Sequence, residues 1–589
     1  MDKVNSAAEA AELVILKNAL ESIMDEMTFT MVRTAQSTSL REAMDFSTAF
    51  CDPAGRILVQ GLTLPLHLGG LEEAVRLVAD LKGADARPGD VLVLNDPYGG
   101  GTHLPDLFTI SPIFLKDELV GYLSTVAHHS DVGGRMPGSN ASDSTEIYQE
   151  GLRIPLNYLY RAGKANETLF SIISANVRHP DRLFLADLRA QLAAAHVGAA
   201  RFLQLAKKMG WETLRRQLDR QLDYSESRTR EALRAMPAGE YHFTDYIDDD
   251  GIDDSPIPIR VAVRIGGGEL EADFTGSSPQ VRGAINCTYS FTKSAVYLVV
   301  ASLIDADIPK NAGFFRPIRV VAPLGTVVNL KLPAACAARA ITGFRAADAV
   351  YGAMAQALPH RVFAAGDGGN LWATFAGEKD DGGSFVFVDS VVGAWGARPT
   401  KDGLEGNSPI ALNIRNQSVE AIEATYPIRI EQYGFVPDSG GAGKYRGGLG
   451  LVRDYRLLAP GAVLQVRSDR KRVLPYGLSG GDPGSPSNNS LISGDSEEEL
   501  PSKFNRTLRR GDLFRHVSPG GGGFGDPLDR DPAHVARDVR GGYISKANAR
   551  RRYGVVFRRE SDQIDARATS TLRRQVRAAG AERPDKRSR

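Results

Sequence analysis

Gly99, Gly100 and Gly101 stand directly ahead of His103 and Asp106 in NDPYGGGTHLPDLFTISPIF, Asn95 to Phe114. A glycine run so placed suits a phosphate-cradling loop, a metal site or a tight turn between strands. The first needs a Lys-Ser or Lys-Thr pair after the glycines, so that an ammonium and a hydroxyl can meet phosphate and magnesium. His103 and Leu104 follow instead, which disfavours a nucleotide loop. SPGGGGFGDP, Ser518 to Pro527, fails the same test and lacks the following strand and helix of a dinucleotide fingerprint, so it reads as a close-packed turn.

Metal ligation is better served. His103 and Asp106 sit where the glycine turn enters an expected strand, and STVAHHSDVGGR ends another with His128, His129 and Asp131. REAMDFSTAFCDPAGR adds Glu42, Asp45 and Asp52 ahead of a further strand-turn pattern. Imidazole and carboxylate together suit Zn²⁺, Mn²⁺ or Fe²⁺ better than Ca²⁺, which prefers oxygen, or Cu⁺, which prefers thiolate. The competing reading is satisfied polar residues at strand ends. Cys51 beside Asp52 is a candidate nucleophile, though a lone cysteine is more simply a small buried residue. The acidic DDDGIDD lacks EF-hand spacing and reads as a solvated hairpin turn.

The elements that must position these residues follow from periodicity. Leu13, Leu20, Ile23, Met24, Met27 and Met31 predict an opening amphipathic helix. Residues 47–126 alternate short apolar runs with Gly/Pro/Asp clusters and read as β-rich. Residues 181–236 carry Leu/Ala/Arg periodicity for two or more helices, and a strand-turn pattern restarts near Pro237. Helices are expected again at KSAVYLVVASLIDA and AADAVYGAMAQALP, strands through about Val466, and an exposed loop from Leu478 to Leu500. The Arg-rich end reads as a helical docking segment, with a frayed tail beyond about Arg558. The fold class is α+β and multi-domain, with mixed β-rich sheets and helical insertions. The divisions are 1–236 (metal site and helical segment), 237–335 (β-rich), 336–530 (α+β) and 531–589 (docking segment and basic tail).

The bulk composition narrows the function class. At 589 residues, with Lys+Arg and Asp+Glu both 71, the chain is long enough for several domains and has no global field for nucleic acid or an anionic membrane. Its cysteines, Cys51, Cys287 and Cys336, offer neither a disulfide framework nor a thiolate zinc site, which suits a cytoplasmic protein. No apolar run approaches the roughly 20 residues needed to span a bilayer.

REAMDFSTAFCDPAGRILVQ, LPLHLGGLEEAV, GDVLVLNDPYGGGTHLPDLFTISPIF, AHHSDVGGRMPGS, DFTGSSPQVRGAINCT, PDSGGAGKYRGGLGL, SPGGGGFGDP and GGYISKANARRRYGVV occur in collinear order. In them the chain resembles the hydantoinase B/oxoprolinase family: B-type subunits of N-methylhydantoinase, 5-oxoprolinase and caprolactamase, with the related acetone and acetophenone carboxylase subunits. The resemblance implies a divalent metal, Zn²⁺ or Mn²⁺, on Asp45, His103, Asp106 and His128. His129, Asp131 and Glu146, with Glu150, become candidates for proton transfer, and Arg135 for holding an anion. It further implies a hydantoinase A-type ATPase partner that uses ATP to phosphorylate a small cyclic amide, whose ring this chain then opens. The alternative within the resemblance is ATP-dependent ketone carboxylation.

Overall fold

The computed structural model describes residues 2–61, 64–304, 307–368, 371–559 and 561–581. Its first sheet has seven strands: β1 (Phe46–Cys51), β2 (Ile57–Gln60), β3 (Val91–Leu94), β4 (Asp106–Leu115), β5 (Glu118–His128), β6 (Asn157–Arg161) and β7 (Lys164–Ala165), in the order β2-β1-β5-β4-β3-β6-β7. The inner strands are covered on both faces. On one, Phe46, Phe50 and Leu123 pack with the helices Asp2–Thr34 and Leu185–Met209; on the other, Ala49, Tyr122 and Val126 meet Leu71, Val75 and Val78 of the helix Leu68–Lys82. Burial on both faces explains why β1 is buried at every position instead of alternating. The opening helix buries the expected stripe of Leu20, Ile23, Met24, Met27 and Met31, with Leu16 in addition.

A four-stranded sheet follows, from β8 (Gly239–Ile247), β9 (Ile257–Gly266), β10 (Glu269–Asp273) and β11 (Ile318–Val321), in the order β11-β10-β9-β8. The helices Tyr289–Leu303 and Ala340–Ala357 pack beside it and are buried nearly all round, apolar over most of their surface but also burying Lys293 and Arg345. The C-terminal region supplies β12 (Leu371–Glu378), β13 (Ser384–Val391), β14 (Ile428–Phe435), β15 (Leu451–Leu457), β16 (Gly461–Arg467), β17 (Asn488–Ser493), β18 (Ser496–Leu500), β19 (Lys503–Arg509) and β20 (Leu513–Val517). They form two sheets, β13-β12-β16-β19 and β14-β15-β20-β17-β18, packed through Phe375, Phe387, Tyr455 and Phe514. Among the described residues no helix is long and apolar enough to cross a membrane.

Several expectations need correction. The loop expected at 478–500 contains the β17–β18 hairpin, turned at Gly494 with φ of +59°. Its strands are polar because β18 is a charged edge, while Asn489 of β17 reaches inward to Ser468 and His516. The DDDGIDD turn is not simply solvated. Asp248 accepts the N–H groups of Lys471, Arg472 and Val473, and Asp250 accepts those of Ile252, Asp253 and Gly283. The frayed tail expected beyond Arg558 is instead, over Ala566–Ala581, a helix docked by Arg573 donating to the carbonyls of Tyr553 and Arg530; residues 582–589 lie outside the described ones.

SPGGGGFGDP is an extended segment enclosed by other backbone. Gly521, Gly522 and Gly523 donate to the carbonyls of Gly448, Ala365 and Asp482, and accept from the N–H groups of Gly441, Ala397 and Leu478. A Cβ at Gly520, Gly521, Gly522 or Gly523 would fall 1.9, 2.1, 2.1 or 2.2 Å from a neighbouring carbonyl oxygen. Only glycine permits that approach.

Candidate metal centre

The order β1-β5-β4 sets three strand ends side by side. Asp106 opens β4 opposite His128, the last residue of β5. Opposed residues of an antiparallel pair send their side chains to one face. The N–H of His128 donates to the carbonyl of Asp45, just before β1, and the N–H of Asp106 to the carbonyl of His103 in the entering turn. The sheet therefore brings Asp45, His103, Asp106 and His128 to one place, where they line a small cavity of about 30 Å³.

The glycines act one step behind. Gly100 has φ of +96°, and Gly99 and Gly101 both donate their N–H to the carbonyl of Asp96. Those two amides are committed within the loop and do not face a ligand. Asn95 staples the arrangement: its Nδ2 donates to the carbonyls of Leu104 and Leu152, and its Oδ1 accepts from Ile154.

The donor set fits a cation on an argument of protons. His103 Nδ1 lies 3.1 Å from the carbonyl of Ala337, which can only accept, so that nitrogen carries the hydrogen. In the neutral ring the bare Nε2 then faces Asp106 Oδ1 at 3.1 Å, lone pair against carboxylate. Burial, with Arg339 nearby, holds His103 down at about 4, so the neutral ring is the relevant one. Both nitrogens of buried His128, and Nε2 of buried His67, have no hydrogen-bond partner. Unpaired buried polar atoms are costly, and a cation taking the lone pairs removes the cost. One ligand atom each from His103, Asp106 and His128 lies within 4.8 Å of the others, a spread a single ion can bridge. Mixed imidazole and carboxylate accept Zn²⁺ or Mn²⁺.

Other charges complete the wall. Arg339, ahead of the helix Ala340–Ala357, pairs with Asp106 Oδ2 and lies 4.3 Å over the Phe291 ring. Arg467, ending β16, donates to the Ala337 carbonyl and to Asn140 Oδ1, and lies 4.7 Å over Trp372. Trp372 in turn packs on His128, ring centroids 5.0 Å apart. Burial and then Asp106 push Asp45 up to about 7; burial and Arg339 bring Arg467 down to about 9. His67, Arg339, Arg467 and Trp372 were not singled out from sequence. His67 had a signal, because four of the ten histidines fall between His67 and His129. The others come from distant segments that no spacing rule connects to the site.

The residues considered for proton transfer lie outside this cavity. His129 turns its Nε2 to Gln191 Oε1 and stacks on Phe184. Asp131 accepts from the N–H groups of Gly133, Gly138 and Arg178 and pairs with the Arg178 guanidinium, which staples its loop. Glu146 precedes the turn Ile147–Gln149, and Arg135 pairs with Asp143 at the surface. Glu150 is the informative one. Its Oε1 accepts the N–H groups of Cys336 and Ala337, each at 2.8 Å, and so anchors the residue whose carbonyl orients His103. Burial pushes Glu150 up to about 8. Cys51 is buried among apolar side chains with its thiol pushed well up by burial, the opposite of an activated nucleophile.

The family model for hydantoinase B/oxoprolinase matches residues 9–527. A putative D-/L-hydantoinase B subunit of Pseudomonas sp. (strain NS671) is 35% identical over 579 residues, 95% of this chain and 97% of its own length. The beta subunit of the Pseudomonas jessenii caprolactamase is 33% identical over 95% of this chain and 98% of its own. A crystal structure of the ATP-dependent caprolactamase from that organism matches with a TM-score of 0.91 at 32% identity, covering 96% of this chain and 99% of that one.

Proposed function

The chain belongs to the hydantoinase B/oxoprolinase family, and from that premise we propose that it is the ring-opening subunit of an ATP-dependent cyclic amide hydrolase. Its substrate is a small lactam or hydantoin that a partner ATPase subunit has phosphorylated on the carbonyl oxygen. Relatives that are the B and beta subunits of their enzymes support a partner, and a relative named caprolactamase supports the substrate class. The observation that carries the reading is the buried convergence of Asp45, His103, Asp106 and His128, with His128 nitrogens unpartnered.

A divalent cation, Zn²⁺ or Mn²⁺, held by these four residues would supply Lewis acidity toward a carbonyl or phosphoryl oxygen. The chain's own groups do the rest. Ala337, braced by Glu150, keeps the His103 proton on Nδ1 and so keeps Nε2 turned inward. Arg339 engages Asp106 Oδ2 and leaves Oδ1 directed at His103. The Arg339 and Arg467 guanidiniums face charge developing on the substrate oxygens, and within a buried site such preorganised donors count for far more than in water. Leu64, Leu66, Phe291 and Leu412 wall off bulk solvent, which would otherwise hydrolyse an activated phosphate unproductively.

The test is co-expression with an ATPase subunit, followed by ATP turnover against hydantoins, 5-oxoproline, larger lactams and ketones, with and without bicarbonate. ATP-dependent ring opening is the expected result. Bicarbonate-dependent carboxylation of a ketone, with no lactam opened, would overturn the hydrolase assignment in favour of a carboxylase.

A further inference from the structure

Two surface recesses differ in how their charges are answered. The wider, about 780 Å³ along the β10–β11 edge, has its cations paired: Arg264 with Glu271 and Asp273, Arg316 with Glu226, and Lys293 with Glu72 and Glu73. The narrower, about 180 Å³, is lined by Arg41, His179, Arg182 and Lys379 beside Phe385 and Tyr426, and no carboxylate lines it. Among the described residues neither the Arg41 nor the Arg182 guanidinium has a hydrogen-bond or ion-pair partner, and Lys379 gives its Nζ only to the Thr425 carbonyl. A recess that gathers positive charge without acids concentrates anions, and guanidinium forks match phosphate oxygens.

The same elements continue to the buried centre. Arg41 stands four residues before Asp45, and the N–H of Asp45 bonds back to the Ser39 carbonyl within that segment. Arg182 lies on the turn Pro180–Phe184, whose Phe184 packs on His129. Lys379 follows β12, which begins beside the Trp372 that packs on His128. At about 180 Å³ the surface recess offers more room than the inner cavity of about 30 Å³, so it can hold a phosphorylated ring on its way to or from the reacting groups.

We propose that this recess is a second binding site, for a phosphate-bearing small molecule, with the aromatic carbon of Phe385 and Tyr426 beside the ring and the cations on the phosphate. The identity of that molecule, phosphorylated substrate arriving or phosphate leaving, rests on the function proposed above; the existence of the site does not.

The experiment is calorimetric titration of inorganic phosphate into the full chain, comparing wild type, Arg41→Ala, Arg182→Ala, and Arg264→Ala at the paired recess as control. Expected is saturable binding weakened at least tenfold by Arg41→Ala and by Arg182→Ala, and unchanged by Arg264→Ala. No binding at millimolar phosphate, or equal binding by all four proteins, overturns the site. In the complex with its ATPase, a fall in kcat/KM for lactam in Arg182→Ala identifies the phosphorylated substrate. Unchanged kcat/KM with relief of inhibition by added phosphate identifies the product. Phosphate binding that the variants lose, in a complex that opens no lactam, upholds the site and sinks the proposed function; lactam opening without phosphate binding does the reverse.

Discussion

Two of the clusters of buried charge in this molecule are built on opposite terms. Between β8 and the C-terminal sheets, Arg345, Arg470 and Lys503 each have at least two carboxylate contacts of 3.3 Å or less among Asp245, Asp249, Asp348 and Asp469. Despite burial, Lys503 and Arg345 hold Asp469 below the ordinary carboxylate range. At the strand ends of the first sheet, by contrast, Asp45 has no ion pair among the described residues and His128 has no hydrogen-bond partner on either nitrogen. Both clusters are out of water and rich in charge, so neither burial nor charge marks function. What separates them is pairing: the cations of the closed one each answer two carboxylates of the chain, while in the open one both nitrogens of His128 lack a partner among the described residues.

The sharpest way to break this contrast is to remove one carboxylate from the closed cluster. Asp469→Ala takes from Arg345 and from Lys503 one of their two carboxylate partners, and denaturant unfolding is expected to show a loss of about 3–5 kcal/mol, with bound metal per chain unchanged. Next in size, His103→Ala or His128→Ala should lower lactam opening about 10²–10³-fold, the scale of losing a preorganised electrostatic group, and abolish stoichiometric metal. Compared after chelation, their unfolding midpoints should stay near that of metal-free wild type. Unfolding as severe as that of Asp469→Ala would show that the two clusters are of one kind.

Glu150 tests how far the open cluster extends. Glu150→Ala frees the Ala337 peptide and should weaken metal binding about 10–100-fold, as for other groups that orient a ligating histidine. Glu150→Gln keeps an oxygen for the same two N–H donors and should bind metal almost as wild type. Equal loss in both would show that the carboxyl acts by its charge and not by its position.

The last test concerns a buried histidine outside both clusters. His516 has Nδ1 on Asn489, Nε2 unpartnered, and is brought down to about 3 by burial. Its folded value lies below its unfolded value, so its contribution to stability is present above about pH 6.5 and is lost as pH falls toward 3. The slope is about 1.4 kcal/mol per pH unit. His516→Gln should remove that component, seen as a narrowing gap between the two stability curves on acidification. A gap that does not change with pH would mean that His516 titrates alike in the folded and unfolded chain.

Much of the open cluster was legible in sequence because its residues are local to strand ends. GTHLPD and AHHSD mark where β4 begins and β5 stops, and an antiparallel pairing of those strands makes them meet. Arg339 and Arg467 were not legible: each is an ordinary arginine in its own segment and gains meaning only when the helix Ala340–Ala357 and β16 arrive at the site. The β17–β18 hairpin was missed because its inner strand buries Asn489 and Ser490, so no apolar alternation betrays it. The helix Ala566–Ala581 was missed because arginines bonded to carbonyls, and not apolar residues, hold it in place.

The enclosed glycine segment has a consequence for the order of synthesis. Gly521 to Gly523 join backbone from Ala365 to Asp482, all of which leaves the ribosome earlier. The C-terminal half therefore waits unsealed until residue 523 has emerged, its sheets exposed for the time that chain growth of about 5–20 residues per second takes. A four-residue stretch without side chains thus sets when this half of the protein can finish folding, and how long it must be kept from others of its kind.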